Sequence, residues 1–296
     1  MICDSIIKHF SISADLNGAR GKQINMVMDA RPIGVFDSGL GGLTTVKKLV
    51  ELLPGEDIIY LGDTGRVPYG SRSKETIIKY AGQDAAFLAG FNIKVMVIAC
   101  NTVCSAALDI LDKAYDMPVF EVVNPPAITA AALTKNGKIG VIGTAATIRS
   151  GAYEAAIKEI APELQVVSAA CPLFVPLVEN GKTGVDDVAV TLIVEDYLAQ
   201  LRTAGVDTLI MGCTHYPLLR GVISKVMGPG VTLVDSGAET AKVVAREIHE
   251  GGMASHGSAN GEIRYFVTDS VDGFSDLASS FLEADVYGMV EQVTLE

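Results

Sequence analysis

The sequence predicts an α/β fold made of two similar lobes, each a mainly parallel sheet flanked by helices, with the active site in the cleft between them. First, short β-branched runs alternate with longer helical patterns from Pro32 onward, which is typical of βαβ units. Second, the stretch "IGVFDS" is echoed by "IGVIGT" in the second half of the chain. Third, an apolar run ends in Cys100 and a similar run ends in Cys213, so one structural unit recurs.

The elements follow in order along the chain. "IGVF", "DIIYLG" and "VMVIA" have the composition of strands, and "GLTTVKKLVELL" and "SKETIIKYAGQDAAFLAGF" have the pattern of helices. The double proline of "VVNPPAITAAAL" and the glycine of "LVDSGAETAKVVAREI" predict two crossings between the lobes. The strand-like "EIRYFVT" and the helix-like "GFSDLASSFL" are then expected to return to the first lobe.

These crossings give the predicted boundaries of the domains. Residues 1–31 form an N-terminal extension, for which disorder is one expectation, because they lack the apolar core of a signal peptide and the strand rhythm begins only after them. Residues 32–124 plus 237–296 form lobe 1, and residues 125–236 form lobe 2.

The composition narrows the class of partner. The 296 residues carry a net charge of −12, from 35 acidic and 23 basic side chains, which argues against nucleic acid and an anionic membrane as partners. A small-molecule substrate is therefore expected. The five cysteines are odd in number and widely spaced, so we expect free thiols in a cytoplasmic protein. No apolar run reaches the roughly 20 residues needed to span a bilayer. A homodimer is one expected assembly, although the sequence does not indicate its geometry.

The two strand-to-cysteine junctions predict a pair of acid–base groups. In parallel α/β sheets, ligands collect at the carboxyl ends of strands, where Cys100 and Cys213 are expected to lie. A helix N-terminus at that place is expected to lower the pKa of a thiol from about 8.5 and to hold a carboxylate. If the lobes face each other, a thiolate could remove a proton from one face of a carbon while a thiol returns a proton to the other face.

Six motifs carry a resemblance to a known family. They are, in order, "GVFDSGLGGLTTV", "YLGDTGRVPYGSRS", "ACNT", "GVIGTAATIRSGAY", "PLVENG" and "GCTHYPLL". Together they resemble the glutamate racemases of the aspartate/glutamate racemase superfamily over roughly residues 32–296. The resemblance implies an isomerase that uses no cofactor and no metal, interconverts L- and D-glutamate, and supplies D-glutamate for peptidoglycan.

The resemblance also implies roles for individual residues. Cys100 would abstract the α-proton of D-glutamate, and Cys213 would abstract that of L-glutamate. Asp37 would assist the first thiol, whereas His215 and Glu179 would act beside the second. The residues implied in binding the amino and carboxylate groups of the substrate are Asp37, Ser38, Tyr69, Gly70, Asn101, Thr102, Thr144, Thr214 and His215, with Asp63 as a neighbour.

Other functions fit parts of the same pattern. The loop "GLGGLT" is close to the G-x-G-x-x-G fingerprint, and Asp63 lies about where an acid that binds ribose would fall, so an NAD-binding oxidoreductase is the alternative from a different class. An amino-acid-binding protein without catalysis would gain nothing from a thiol on each face of its ligand. A further alternative is an aspartate or other amino-acid racemase of the same superfamily, and physical arguments alone do not separate glutamate from aspartate as the substrate. Cys104 and "CTH" lack the closely paired ligands of a zinc site.

Overall fold

The computed structural model describes residues 29–255 and 260–295, and in these residues the strands form two sheets. The strands are β1 (Ile33–Asp37), β2 (Ile58–Gly62), β3 (Val95–Ile98), β4 (Val119–Glu121), β5 (Lys138–Gly143), β6 (Gln165–Ala170), β7 (Thr208–Gly212), β8 (Thr232–Asp235), β9 (Ile263–Val267) and β10 (Val290–Gln292). The pairings between them are parallel.

Helices connect these strands in the manner of βαβ units. The α-helices are α1 (Leu43–Leu52), α2 (Lys74–Ala89), α3 (Asn101–Ala114), α4 (Asn124–Leu133), α5 (Ala145–Ser150), α6 (Ala152–Ile160), α7 (Phe174–Glu179), α8 (Val188–Ala204), α9 (Arg220–Met227), α10 (Ser236–Glu250) and α11 (Val271–Leu282). Short 3₁₀ turns lie at Thr64–Arg66, Tyr69–Ser71 and Tyr216–Leu219.

The two sheets repeat one order of strands. The first sheet has the order β10-β9-β2-β1-β3-β4, and the second has the order β6-β5-β7-β8. Four strands of the first sheet, β2-β1-β3-β4, therefore correspond one by one to the strands of the second, while β9 and β10 extend the first sheet beyond β2. We call the first sheet with its helices lobe 1 and the second lobe 2. This arrangement confirms the predicted α/β class with two similar lobes.

The central strands are apolar because both faces of each sheet are covered. Every residue of β1, β2, β3 and β7 is buried, as expected for parallel strands packed between helices. Helix α10 carries the chain from lobe 2 back to lobe 1 and packs on α1. At this contact a Cβ on Gly237 would lie 2.4 Å from Thr45 Oγ1, so only glycine allows the two helices to approach this closely.

Local signals fix where several helices begin and end. The Thr144 hydroxyl accepts a hydrogen bond from the Thr147 N–H at 3.2 Å and caps α5. The Asp235 carboxylate accepts from the Ala238 N–H at 3.0 Å and caps α10. Gly205 ends α8 with φ 71°, a left-handed conformation that favours glycine. Both capping residues directly follow or end a strand, so they also fix how the chain turns at the carboxyl edge of lobe 2.

A buried ion pair joins three segments at the amino end of β3. The Lys94 ammonium is fully buried and contacts Glu56, and it donates to the carbonyl oxygens of Asp29 and Met253 at 2.8 Å each. Glu56 also accepts from the Ser255 N–H at 2.7 Å. Because both charges are paired and hydrogen-bonded, the cost of burying them is offset.

The predictions about organisation have different outcomes. Residues 1–28 of the predicted extension lie outside the described residues. The predicted boundaries after residues 124 and 236 fall near the starts of α4 and α10, and they stay a prediction. In residues 29–255 and 260–295 no helix is long and apolar enough to cross a membrane.

Candidate active site

The site lies where three strands end and the two lobes touch. Asp37 ends β1, Cys100 follows β3, and Cys213 follows β7. The Thr44 hydroxyl of lobe 1 donates to the carbonyl oxygen of Thr214 in lobe 2 at 3.0 Å. A Cβ on Gly41 would lie 2.0 Å from Thr214 Oγ1, so the glycine loop of lobe 1 is pressed against the segment that follows Cys213. Parallel strands place their carboxyl ends at one edge, and here two such edges meet.

The lobe 1 half of the site is built around Cys100. This residue precedes the first residue of α3, and its side chain is 5% exposed. Its Sγ–H donates to Ser38 Oγ at 3.4 Å. Ser38 lies in the loop directly after β1, and Cys100 follows β3. Because β1 and β3 are neighbouring strands, their carboxyl ends place Ser38 and Cys100 side by side.

Asp37 is the buried carboxylate of this half. Its Oδ2 accepts from the Gly39 N–H at 3.1 Å, whereas its Oδ1 has no hydrogen-bond partner among the described residues. Burial raises the pKa of Asp37, and the nearby charge of His215 and the N–H groups of Gly42 and Gly39 oppose that rise. A buried oxygen without a partner is costly in a native fold.

The lobe 2 half of the site is a chain of three side chains. Cys213 Sγ lies 4.0 Å from His215 Nδ1. His215 Nε2 lies 3.0 Å from Glu179 Oε1, and the ring meets Phe281 of α11 edge to face at 5.7 Å between centroids. The imidazole is therefore held by a carboxylate on one side and an aromatic ring on another, with one nitrogen towards the thiol.

The two thiols share one electrostatic environment, in which the pKa of each is raised. The pKa of Cys100 is raised to about 12, mainly by burial and secondly by the charge of Asp37. Burial also raises the pKa of Cys213, and the charges of Asp37 and Cys100 add to that rise. The prediction that a helix N-terminus lowers the pKa values of the two thiols is wrong in this structure, because the loss of hydration outweighs the effect of the nearby N–H groups.

Hydroxyl groups from both lobes meet at the edge of the site. Thr102 Oγ1 of lobe 1 lies 3.1 Å from Thr144 Oγ1 of lobe 2, which in turn lies 3.1 Å from Thr147 Oγ1. A Cβ on Gly70 would lie 3.0 Å from Thr144 Cβ. Gly70, Thr102 and Thr144 therefore form one contact across the lobes, and their role in binding stays a prediction.

The Asn101 amide is held by residues that the sequence did not single out. Its Nδ2 donates to Ser236 Oγ at 3.3 Å, and its Oδ1 accepts from the Tyr153 hydroxyl. The same hydroxyl lies 2.8 Å from the carbonyl oxygen of Val122, at the crossing between the lobes. Tyr153 stands in the motif "GVIGTAATIRSGAY", but the sequence gives no sign that it contacts Asn101.

Tyr69 differs from the other predicted binding residues, because its hydroxyl is already engaged. The ring is buried, and the hydroxyl contacts the carboxylates of Asp63 and Asp84. Arg66 bonds to both carboxylates. Asp63 is therefore a member of this buried network rather than a free acid of the site.

The structure also bears on the alternatives. The glycine loop that would bind NAD packs against Thr214 and His215, which occupy the space beside Gly41. The acid expected to bind ribose, Asp63, is bonded to Arg66 and accepts from Thr268 at 2.7 Å. In the described part of the chain no group of three or more His, Cys, Asp or Glu side chains has the arrangement of a metal site.

Comparisons with known proteins agree with this geometry. The family model described as Asp/Glu/Hydantoin racemase matches residues 33–244. A glutamate racemase from Geobacter metallireducens is 49% identical over 269 residues, which cover 91% of this chain and 98% of the relative. The structure of a glutamate racemase isoform from Bacillus anthracis matches with a TM-score of 0.85 and 41% identity, over 90% of this chain and 98% of that chain. The structure of the Francisella tularensis glutamate racemase in complex with D-glutamate matches with a TM-score of 0.84 and 38% identity, over 91% of this chain and 99% of that chain. The resemblance seen in the motifs is thus confirmed, and the chain belongs to the Asp/Glu/hydantoin racemase family of isomerases.

Proposed function

We propose that this enzyme is a glutamate racemase that interconverts L- and D-glutamate by proton transfer between two cysteines. The observation that carries the proposal is the pair of strand-end thiols, Cys100 and Cys213, one from each lobe, in one electrostatic environment with Asp37 and His215. The relatives named glutamate racemase, and the Francisella tularensis structure in complex with D-glutamate, support the choice of substrate.

The reaction needs one base and one acid on opposite faces of the α-carbon. With D-glutamate bound, the Cys100 thiolate removes the α-proton, and the bond electrons stay on the α-carbon. The Cys213 thiol then gives its proton to the other face, which forms L-glutamate and leaves Cys213 as the thiolate. With L-glutamate the roles reverse, so no oxidant and no external proton are consumed.

Each thiol has its own group to take up or return a proton. Asp37 is near enough to raise the pKa of Cys100, and it would hold the proton that leaves this thiol. His215 would serve Cys213 in the same way, with Glu179 stabilising the imidazolium that forms. Because burial keeps both thiols protonated in the resting site, ionisation is expected only when the substrate ammonium enters and offsets the thiolate charge.

Binding of the substrate falls to short polar groups at the strand ends. Asp37 would accept from the ammonium group, since its Oδ1 has no partner among the described residues. The carboxylates would be held by the hydroxyl, amide and backbone N–H groups of Ser38, Gly70, Asn101, Thr102, Thr144, Thr214 and His215. Hydroxyl, amide and N–H groups can hold two carboxylates without adding bulk to the site.

The product has a use in the cell that fits this assignment. We propose that the D-glutamate supplies peptidoglycan synthesis, and that the enzyme works without metal or organic cofactor. Dialysis against a chelator, with a spectrum to detect bound pyridoxal phosphate, tests the second point. Activity that returns only when a metal or cofactor is added would contradict it. The predicted homodimer is tested by sedimentation of the purified chain.

The proposal is tested by following the optical activity of L-glutamate by circular dichroism. We expect the signal to decay to zero without NAD, and D-glutamate formed early in D₂O to carry deuterium at the α-carbon while the remaining L-glutamate stays mostly protiated. A decay that requires NAD would support the oxidoreductase. Faster loss of the L-aspartate signal would make aspartate the substrate. Early deuteration of the recovered L-glutamate would indicate one base instead of two.

A further inference from the structure

A buried polar network lies behind the turn that carries Gly70. Arg66 donates through Nε to Asp63 Oδ2 at 2.6 Å, through Nη2 to Asp84 Oδ1 at 2.9 Å, and through Nη1 to Gln83 Oε1 at 2.6 Å. The guanidinium also stacks on the ring of Tyr80, 4.2 Å from its centroid. A planar fork held at several points fixes the positions of both carboxylates.

The number of protons in this network can be counted. The Tyr69 hydroxyl contacts Asp63 Oδ2, and it also lies 3.1 Å from Asp84 Oδ2. A phenol has one proton and can donate to only one of these oxygens. The shorter contact is with Asp63. If the phenol donates to Asp63, the contact with Asp84 is a hydrogen bond only when Asp84 carries a proton and donates it to the phenol oxygen.

The charges lead to the same count. The side chains of Asp63 and Asp84 are both fully buried, and Arg66 is the cation that bonds to them. One guanidinium neutralises one carboxylate, and a second buried anion would remain uncompensated at high cost. Burial and the charge of Asp63 raise the pKa of Asp84, against the opposing charge of Arg66 and the hydrogen bond with Tyr69. Asp37 adds a further negative charge on the same side.

We propose that Asp84 is a neutral carboxylic acid that donates to Tyr69, and that Asp84, Asp63 and Arg66 together position the Tyr69–Ser71 turn at the substrate site. The chain of contacts runs from Asp84 to Tyr69, then through Gly70 to Thr144 at the edge between the lobes. These are positioning residues, because none of the three touches the reacting thiols. The importance of the turn for binding rests on the proposed racemase function.

Two matched substitutions separate this proposal from a uniform structural role. Asp84→Asn keeps an N–H donor for Tyr69 and a carbonyl acceptor for Arg66, so we expect kcat/KM for glutamate to fall by less than about threefold. Asp63→Asn removes the anion that balances Arg66 and accepts from Tyr69, so we expect KM to rise by about tenfold or more, with a smaller change in kcat. Asp84→Leu, which offers neither group, is expected to resemble Asp63→Asn.

The results that overturn the proposal are distinct. Equal damage from Asp84→Asn and Asp63→Asn would mean that Asp84 is ionised. A lower melting temperature of Asp63→Asn with KM unchanged, measured well below that temperature, would leave only a structural role. If Asp63→Asn does not fold, infrared spectroscopy provides the test. The wild type must show a C=O band of a protonated carboxylic acid that Asp84→Asn lacks. This band does not depend on activity, so it remains decisive even if the wild type fails to racemise glutamate.

Discussion

Each half of the site has a cysteine thiol, but different side chains surround the thiol in the two halves. Cys100 is paired with Ser38 and lies near Asp37, whose carboxylate is sealed from solvent. Cys213 is paired with His215, whose other nitrogen meets Glu179, and the Glu179 side chain is 35% exposed. In lobe 2 the contacts therefore run from the thiol of Cys213 to a partly exposed carboxylate, whereas in lobe 1 the carboxylate near Cys100 is buried.

Two lobes with the same strand order therefore need not place the same side chains beside their thiols. The strand orders of the two sheets match, and each thiol follows the corresponding strand, β3 or β7. The residues that assist the thiols come from different places, since Asp37 ends β1 whereas His215 follows Cys213 directly. In lobe 1 the group near the thiol is a carboxylate, and in lobe 2 it is an imidazole that contacts a carboxylate of its own. The following predictions test how far the halves differ.

The largest effect is expected from removing either thiol. Cys100→Ala and Cys213→Ala should each lower racemisation by about 10²–10⁴, in both directions, because each thiol is the base in one direction and the acid in the other. Cys171→Ala is the matched control, since Cys171 is a buried thiol just after β6 and is not part of the site. Circular dichroism of both enantiomers measures the rates. A variant of Cys100 or Cys213 that retains substantial activity would remove the equivalence of the halves.

A smaller loss is expected from the groups that serve the thiols. Asp37→Asn and His215→Gln should each lower kcat/KM by about 10²–10³, since each removes one proton acceptor. The loss must be equal for the two enantiomers, because their equilibrium constant is one and ties the two values of kcat/KM together.

The isotope effect tells these two variants apart. In Asp37→Asn the step at Cys100 is slowed, so α-deuterated D-glutamate should show a large isotope effect and α-deuterated L-glutamate a small one. In His215→Gln the order should reverse. Equal isotope effects in both variants would mean that Asp37 and His215 do not each belong to one thiol.

The exposed end of the lobe 2 half should matter less. Glu179→Gln keeps a hydrogen bond to His215 but removes the charge, so we expect kcat/KM to fall by about tenfold. Glu154→Gln, on the surface of the same lobe and paired with Lys158, is the control and should change little. A loss for Glu179→Gln as large as that for His215→Gln would show that the carboxylate takes the proton itself.

The smallest effect concerns stability at high pH. The pKa of Cys100 is raised from 9.0 to about 12, so the folded state keeps a proton that the unfolded chain releases. The stabilising contribution is complete below pH 9.0 and is lost as the pH rises towards about 12. The free energy of unfolding in urea should therefore fall more between pH 9.0 and about 12 for the wild type than for Cys100→Ser. Parallel pH curves for the two proteins would show that Cys100 is not buried in solution as it is here.

The sequence predicted the parts of the site that lie at strand ends. The α/β class, the repeated unit and the positions of Cys100 and Cys213 at strand ends follow from apolar runs that stop at a polar residue. Such junctions are visible because a buried parallel strand has a distinct composition. The place of His215 beside Cys213 was expected through the family resemblance, and the contact of Cys100 with Ser38 was not predicted. Glu179 lies far from Cys213 in the chain, and its place near that cysteine was expected only through the family resemblance. The contact with His215 is a finding of the structure.

The partners that the sequence did not indicate are buried polar groups in helices. Asp84 and Gln83 lie within α2, and Tyr153 lies within α6, where a polar residue is ordinarily interpreted as a solvated face. Only the tertiary fold brings these side chains to Tyr69 and Asn101. The pKa values of the thiols depended on the same information, because burial is decided by the closing of two lobes and not by local sequence.

The place of β9 in the first sheet has a consequence for how this chain folds during synthesis. Lobe 2 is built from the continuous stretch of strands β5 to β8, so it can complete its sheet as soon as that stretch has been made. Lobe 1 cannot, because β9 pairs with β2, and β9 is made long after it. Until then β2 is an unpaired edge of apolar residues, which invites pairing with another chain. We therefore expect that lobe 2 can form its sheet while lobe 1 is still unfinished, and that the nascent chain is most exposed to association with another chain before β9 has been made.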